Sequence, residues 1–177
     1  MRSCSRWPAL LSWTLFLCLA GPAPALADDR AELGVRSLTE YIDSTNLLQH
    51  GVFYRWPPKP EKRMRWEIAV GTLRQGGVGR VFVSGGPLWR FSGAQGDKLG
   101  RWIIDLGVLP TLLEAGKFGS LDLGGVVQFM SFVSAGTSFG EDDAFRLSLR
   151  IQHISNARLN STNPGADQVG LEFAYRF

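Results

Sequence analysis

The sequence predicts an all-β chain, an eight-stranded antiparallel barrel of the outer-membrane kind with a polar interior. Three observations carry this reading. An export signal opens the chain, the remainder alternates apolar and polar residues with period two, and the chain ends in Tyr175-Arg176-Phe177. Residues two apart in a strand face the same way. Alternation therefore yields one apolar row for lipid and one polar row for a side-chain-filled interior. No apolar run beyond residue 27 approaches the ~20 residues of a membrane helix. A membrane-spanning chain of this kind must cross as strands.

The N-terminus has the anatomy of a signal peptide. Arg2 and Arg6 supply positive charge, residues 10–20 an apolar core, and Ala25-Leu26-Ala27 the small-x-small form of a peptidase site. Cleavage is expected after Ala27, which leaves one barrel domain over residues 28–177, 150 residues (177 − 27). Cys18 follows Leu17, where a lipobox needs a small residue. Both cysteines, Cys4 and Cys18, lie in the signal, so the exported domain carries neither disulfide nor thiol chemistry. Loss of Arg2 and Arg6 lowers the basic count from 19 to 17 against 16 acids, a balance that gives no argument for nucleic acid.

The strands are expected in order as follows. Two weaker ones lie around residues 31–37 and 50–56, the second cut off by Pro57-Pro58-Lys59-Pro60. From Arg63, the row Met64, Trp66, Ile68, Val70 opposes Arg63, Arg65, Glu67, Ala69. Gln75-Gly76-Gly77 reads as a turn. Residues 80–91 follow, interrupted at Gly85-Gly86-Pro87 by an expected bulge or bend. In residues 101–109, Trp102, Ile104, Leu106 and Val108 oppose Arg101, Ile103, Asp105 and Gly107. In residues 121–133, Leu121, Leu123, Val127, Phe129 and Val133 oppose Asp122, Gly124 and Gln128. The last two strands cover residues 145–155 and 167–177.

The row expected inside carries both signs: Arg63, Arg65, Glu67, Asp105, Asp122, Arg146, Arg150, Glu172 and Arg176. Ion pairs among them would satisfy charges that lipid could not. A soluble β-sandwich or lipocalin-like barrel also alternates. It does not explain an opposite row rich in Trp66, Trp89, Trp102, Phe129, Phe145, Phe173 and Phe177.

Candidate chemistry sits at the end of the penultimate strand. Phe145, Leu147, Leu149, Ile151, His153 and Ser155 share one parity, so a histidine and a serine continue the lipid-facing row. Polar groups there are costly and point to function. With an even strand number and periplasmic termini, residues 156–166 form an external loop, and Asp167 starts the returning strand with the parity of Val169 and Leu171. His153, Ser155 and Asp167 are thus expected on one face, at the outer leaflet. Serine, imidazole and carboxylate are the nucleophile, the base and the group that orients the base. Asn156 offers an amide or backbone N–H to a developing oxyanion. The corresponding reaction is ester hydrolysis through an acyl-enzyme. On residue types alone a His-x-Ser pair is common, and a polar girdle at the membrane interface is the bland reading.

The segments Arg150-Ile-Gln-His153-Ile-Ser155-Asn156-Ala157 and Asn163-Pro164-Gly165-Ala166-Asp167, with the Tyr175-Arg176-Phe177 ending, resemble the lipid A 3-O-deacylases of the PagL type. The resemblance implies an eight-stranded barrel in the bacterial outer membrane that removes the ester-linked acyl chain at position 3 of lipid A, the membrane anchor of lipopolysaccharide. It implies His153 as base, Ser155 as nucleophile and Asn156 as oxyanion contributor, with no metal or other cofactor. The family's acid, usually glutamate, falls on Asp167, which is one methylene shorter. Beyond this motif the match is one of length, signal and strand pattern. The alternatives are a non-catalytic barrel in adhesion or envelope integrity, and a lipid A acyltransferase or an esterase such as a phospholipase working on another membrane lipid. Outward aromatic patches suit acyl binding and a homodimer contact equally. His50 reads as an interfacial or loop residue, the charged stretch 55–63 and Lys98 as solvated turns, and Asn160-Ser161-Thr162 as a sequon of little weight in a bacterial protein. Arg158, in the external loop, is the better phosphate candidate, with an ordinary surface arginine as the plain alternative.

Overall fold

A computed structural model describes residues 30–42, 46–59, 62–94 and 100–177. The signal segment and Lys98 lie outside the described residues. Ten strands follow in order: β1 (Glu32–Glu40), β2 (Leu48–Arg55), β3 (Met64–Gln75), β4 (Val78–Ala94), β5 (Arg101–Leu113), β6 (Lys117–Phe118), β7 (Leu121–Asp122), β8 (Val127–Phe139), β9 (Phe145–Ser155) and β10 (Ala166–Arg176). Eight of them close into an antiparallel barrel in the order β1-β10-β9-β8-β5-β4-β3-β2, while β6 and β7 make a separate small hairpin. This is the expected barrel. Both weak strands near the start of the chain belong to it, because β1 closes the ring between β2 and β10.

Antiparallel order fixes the two ends. Ser155, the 114–126 segment and the 156–165 loop lie at one, here called the site end; Glu32 and Phe177 mark the other, the terminal end. At the site end, β3 returns into β4 through Gly76 (φ 57°) and Gly77 (φ 85°). A two-residue hairpin turn of this kind needs positive φ at both positions, which glycine adopts without a steric penalty.

Period-two alternation holds along β3, β9 and β10, and the outward row is apolar: Trp66, Ile68, Val70, Leu147, Leu149, Ile151, Leu171 and Phe173 are exposed. Near the terminal end, Phe145 stacks on Phe173 at 5.8 Å and Tyr175 on Phe177 at 5.8 Å, while Tyr54 meets Trp56 edge-on at 4.9 Å. Such a girdle suits a membrane–water interface.

The interior is built in layers. From the terminal end to mid-barrel runs a lattice of arginines and carboxylates. Arg146 Nη1 lies 2.9 Å from both Glu32 Oε2 and Asp105 Oδ2; Arg55 Nε lies 2.6 Å from Glu67 Oε2, and Arg150 Nη1 2.9 Å from Glu172 Oε1. Arg90 joins Asp105 at 2.8 Å and also bonds Glu32. Above it, Gln152 Nε2 donates to Gln49 Oε1 (2.8 Å) and Gln168 Oε1 (3.0 Å). The site end is apolar, with Leu47, Leu73, Leu113, Phe118, Leu121, Leu123 and Ile154 buried together.

Three expectations are corrected here. Residues 121–133 are not one strand: Gly124 (φ 74°) and Gly125 (φ 140°) turn the chain between β7 and β8. Leu121 and Leu123 therefore plug the site end instead of facing lipid, and Asp122 faces Lys117 on the small hairpin instead of the interior. Arg63 is not part of the ionic lattice, and its guanidinium lies over the Phe91 ring at 5.1 Å. Gly85-Gly86-Pro87 introduces no bulge. The β3–β4 and β4–β5 registers continue unchanged past it, but the β4–β5 pairing lapses between Ser84↔Thr111 and Leu88↔Gly107. Pro87 and Pro110 both lie in that gap, and proline cannot donate to a ladder.

Candidate functional site

β9 ends on His153 and Ser155, and β10 returns with Asp167 directly across from His153. His153 Nδ1 and Asp167 Oδ1 are 2.9 Å apart. A carboxylate accepts, so Nδ1 carries the proton in this pair, and the neutral tautomer keeps the lone pair on Nε2. That is the orientation a general base requires. Both side chains remain partly exposed, His153 at 46% and Asp167 at 34%. The aspartate spans the gap without the extra methylene of glutamate, because the register sets the two residues face to face.

On the other flank, β8 pairs Ser131 with His153 and Phe129 with Ser155, and β5 pairs Pro110 with Phe129. The imidazole is thus bracketed by Asp167 and Ser131, and the serine lies beside an outward aromatic ring. Gly165 (φ 71°) backs the imidazole: a Cβ there would fall 2.8 Å from His153 Cε1 and 3.3 Å from Nε2. The position therefore needs glycine twice, for its left-handed backbone and for the space the ring occupies.

Asn156 holds a different place from the one expected. It is fully buried, and its donors are spent inside the protein. Its N–H donates to Asn163 Oδ1 (3.0 Å), and its Nδ2 to the carbonyls of Thr162 (2.7 Å), Leu123 (3.2 Å) and Gly124 (3.3 Å). Its Oδ1 accepts from Arg158 N–H (2.9 Å) and its carbonyl from Leu159 N–H (2.9 Å). Asn156 is the post around which the 156–163 loop is wound. Asn163, at the far end of the loop, uses its oxygen on the Asn156 N–H.

The structure thus brings His153 and Asp167 into contact, sets Ser155 on the same outward row, and seats Asn156 beneath the loop. Ser131 was not singled out from the sequence; Phe129 was read only as one of the outward aromatic residues and Gly165 only as part of the motif before the acid. Gly165 carried a signal, since Asn163-Pro164-Gly165 is turn chemistry immediately before the acid. His50 faces outward on β2, across from Ser37 and Thr72. Among the described residues no group of three His, Cys, Asp or Glu side chains could hold a metal ion.

Fold and site together define a class: a small closed barrel with a serine, histidine and carboxylate gathered on its outward face at one rim. Residues 48–176 match the family model described as Lipid A 3-O-deacylase (PagL), and the chain belongs to that family. Lipid A deacylase PagL of Bordetella bronchiseptica is 32% identical over 77 residues, which are 44% of this chain and 42% of that protein. The alignment thus spans under half of that relative. The crystal structure of the outer membrane enzyme PagL superposes with a TM-score of 0.61 at 17% identity, over 82% of this chain and 98% of the other, a likeness of fold.

Proposed function

We propose that this chain is an outer-membrane esterase that hydrolyses the 3-O-linked acyl chain of lipid A, with Ser155 as nucleophile, His153 as base and Asp167 as the group that orients the base. One observation carries the proposal: the His153–Asp167 bond of 2.9 Å lies on the outward face, on the same row as Ser155, in a member of this family. After removal of residues 1–27, the barrel would sit with its site end at the outer leaflet, where lipid A resides.

Ser155 Oγ attacks the acyl carbonyl carbon as its proton passes to His153 Nε2. Asp167 stabilises the imidazolium that forms. The tetrahedral intermediate collapses, the bond to the sugar oxygen breaks, and His153 returns the proton to that oxygen as the 3-hydroxyl leaves. Water then attacks the acyl-enzyme with His153 again as base, releasing a free fatty acid and restoring Ser155. The expected oxyanion donor, Asn156, has its N–H and Nδ2 engaged in the loop. We assign the donation to Asn163 Nδ2, since the Asn163 oxygen is fixed on the N–H next to Ser155, which leaves its amino group to donate elsewhere.

Mass spectrometry of lipid A from cells expressing wild type or Ser155→Ala tests the reading. Loss of one hydroxyacyl chain with wild type alone is the expected result. Unchanged lipid A from cells with a folded wild-type barrel would reject it in favour of another membrane lipid or a non-catalytic barrel, and assay with purified phospholipid separates those two.

A further inference from the structure

The loop that follows Ser155 encloses an open recess of about 480 Å³ lined by Arg158, Leu159, Asn160, Ser161 and Asn163. Its walls are fixed from below. Asn156 binds the loop through Arg158 N–H, Leu159 N–H, the Thr162 carbonyl and Asn163 Oδ1. Ala157 (φ 52°) and Arg158 (φ 65°) are both held left-handed, a backbone state that non-glycine residues keep only where the surroundings over-determine it. The turn between β7 and β8 supports the loop from the side. A Cβ on Gly125 would lie 2.6 Å from Asn160 Nδ2, and one on Gly124 would collide with the Thr162 carbonyl. The recess is therefore formed in advance of any ligand.

Its chemistry is selective. The lining offers one guanidinium, two side-chain amides, a hydroxyl and an isobutyl group, and no carboxylate. Arg80, at the same end of the barrel, faces Glu114 at 3.9 Å; Arg158 is exposed and has no such acidic neighbour among the described residues. A guanidinium fork matches the paired oxygens of a phosphate, while amides and a hydroxyl match sugar hydroxyls. The arginine, three positions beyond the serine, is one of the two left-handed residues.

From this arrangement we infer that the recess binds the phosphorylated sugar head of the lipid substrate, with Arg158 on the phosphate, and so sets which ester reaches Ser155. The identity of the lipid rests on the function proposed above; the preference for a phosphate monoester rests on the recess. A head anchored by residues 158–163 leaves its acyl chains to lie along the outward face by Phe129, which the register places beside Ser155, and Pro110, which it places beside Phe129.

The test is a binding measurement that does not depend on turnover. The Ser155→Ala barrel, its folding checked by heat-modifiable mobility, is titrated in detergent micelles with lipid A and with chemically dephosphorylated lipid A. Tryptophan fluorescence reports binding. The expected result is about tenfold tighter binding of the phosphorylated lipid, a step of about 1.4 kcal/mol, lost on adding Arg158→Ala and partly kept with Arg158→Lys. Equal affinity for the two lipids, or a preference that survives Arg158→Ala, would overturn the inference. So would displacement of lipid A by inorganic phosphate at equal concentration, which would mark a general anion site. Hydrolysis by the wild type without a phosphate preference would overturn the recess alone. A phosphate preference without hydrolysis would overturn the esterase reading and leave the recess standing.

Discussion

Two sets of carboxylate pairs divide the molecule, one inside the barrel and one outside. Inside, Glu32, Glu67, Asp105 and Glu172 are buried among Arg36, Arg55, Arg90, Arg146 and Arg150. Outside, Asp167 meets a single histidine, and both stay partly open to their surroundings. Arginine keeps its proton throughout the physiological range, so the interior charges are permanent and serve to hold eight strands together. Imidazole can both accept and donate a proton, so the outward pair has the groups that the proposed chemistry needs. What separates the two is strand parity: His153 and Gln152 are neighbours in β9, and one faces out while the other joins the buried amide layer. The ion pairs that hold the barrel and the proposed reactive groups thus lie on opposite faces of the same strands.

Variants that act on only one set sharpen this contrast. The largest effect is expected on the outward set. Ser155→Ala or His153→Ala should lower deacylation by about a thousandfold or more, with the barrel still heat-modifiable on a gel. Asp167→Ala should cost about a hundred- to ten-thousandfold in kcat, read from single-turnover release of fatty acid, because His153 loses its orienting partner. Glu32→Gln should do the opposite. It removes a charge shared by Arg55, Arg90 and Arg146 and should destabilise the barrel by about 3–5 kcal/mol in urea unfolding. Activity per folded molecule should stay close to wild type, and a large drop there would break the separation between the two regions. Gly165→Ala should reduce activity about ten- to a hundredfold with a smaller change in stability, since the methyl displaces the imidazole from Asp167. The smallest effect is expected for Asp167→Glu, which should stay within about tenfold of wild type, because the longer chain can fold back to reach the same nitrogen.

Much of this was legible in the sequence where one physical rule acted alone. Strands β3, β9 and β10 keep one row outward and the other buried along their whole length, so their alternation is unbroken and fixes which residues face out. Parity and antiparallel order sufficed to bring Asp167 to His153. The rule failed where an apolar residue had two possible homes. Leu121 and Leu123 alternate like lipid-facing residues, yet they fill the end of the barrel, and only the backbone turns at Gly124 and Gly125 distinguish the two. Glu32 and Arg36 were missed because β1 shows a short, mixed outward row of Leu33, Val35 and Ser37. Asn156 illustrates a different limit: residue type identifies a donor, whereas the folded loop decides on which acceptor the donor is used.

The apolar plug at the site end has a kinetic meaning. With Leu121, Leu123 and Phe118 packed over the ionic lattice, side chains occupy the barrel's interior, and His153 and Ser155 stand on its outer wall. Under the proposed function, substrate arrives sideways, by diffusion in the plane of the leaflet, and the released fatty acid departs into the same plane. Turnover should then follow the mole fraction of substrate in the membrane, not its amount per volume of medium. Dilution with inert lipid would slow such an enzyme, while dilution with water would leave its rate unchanged.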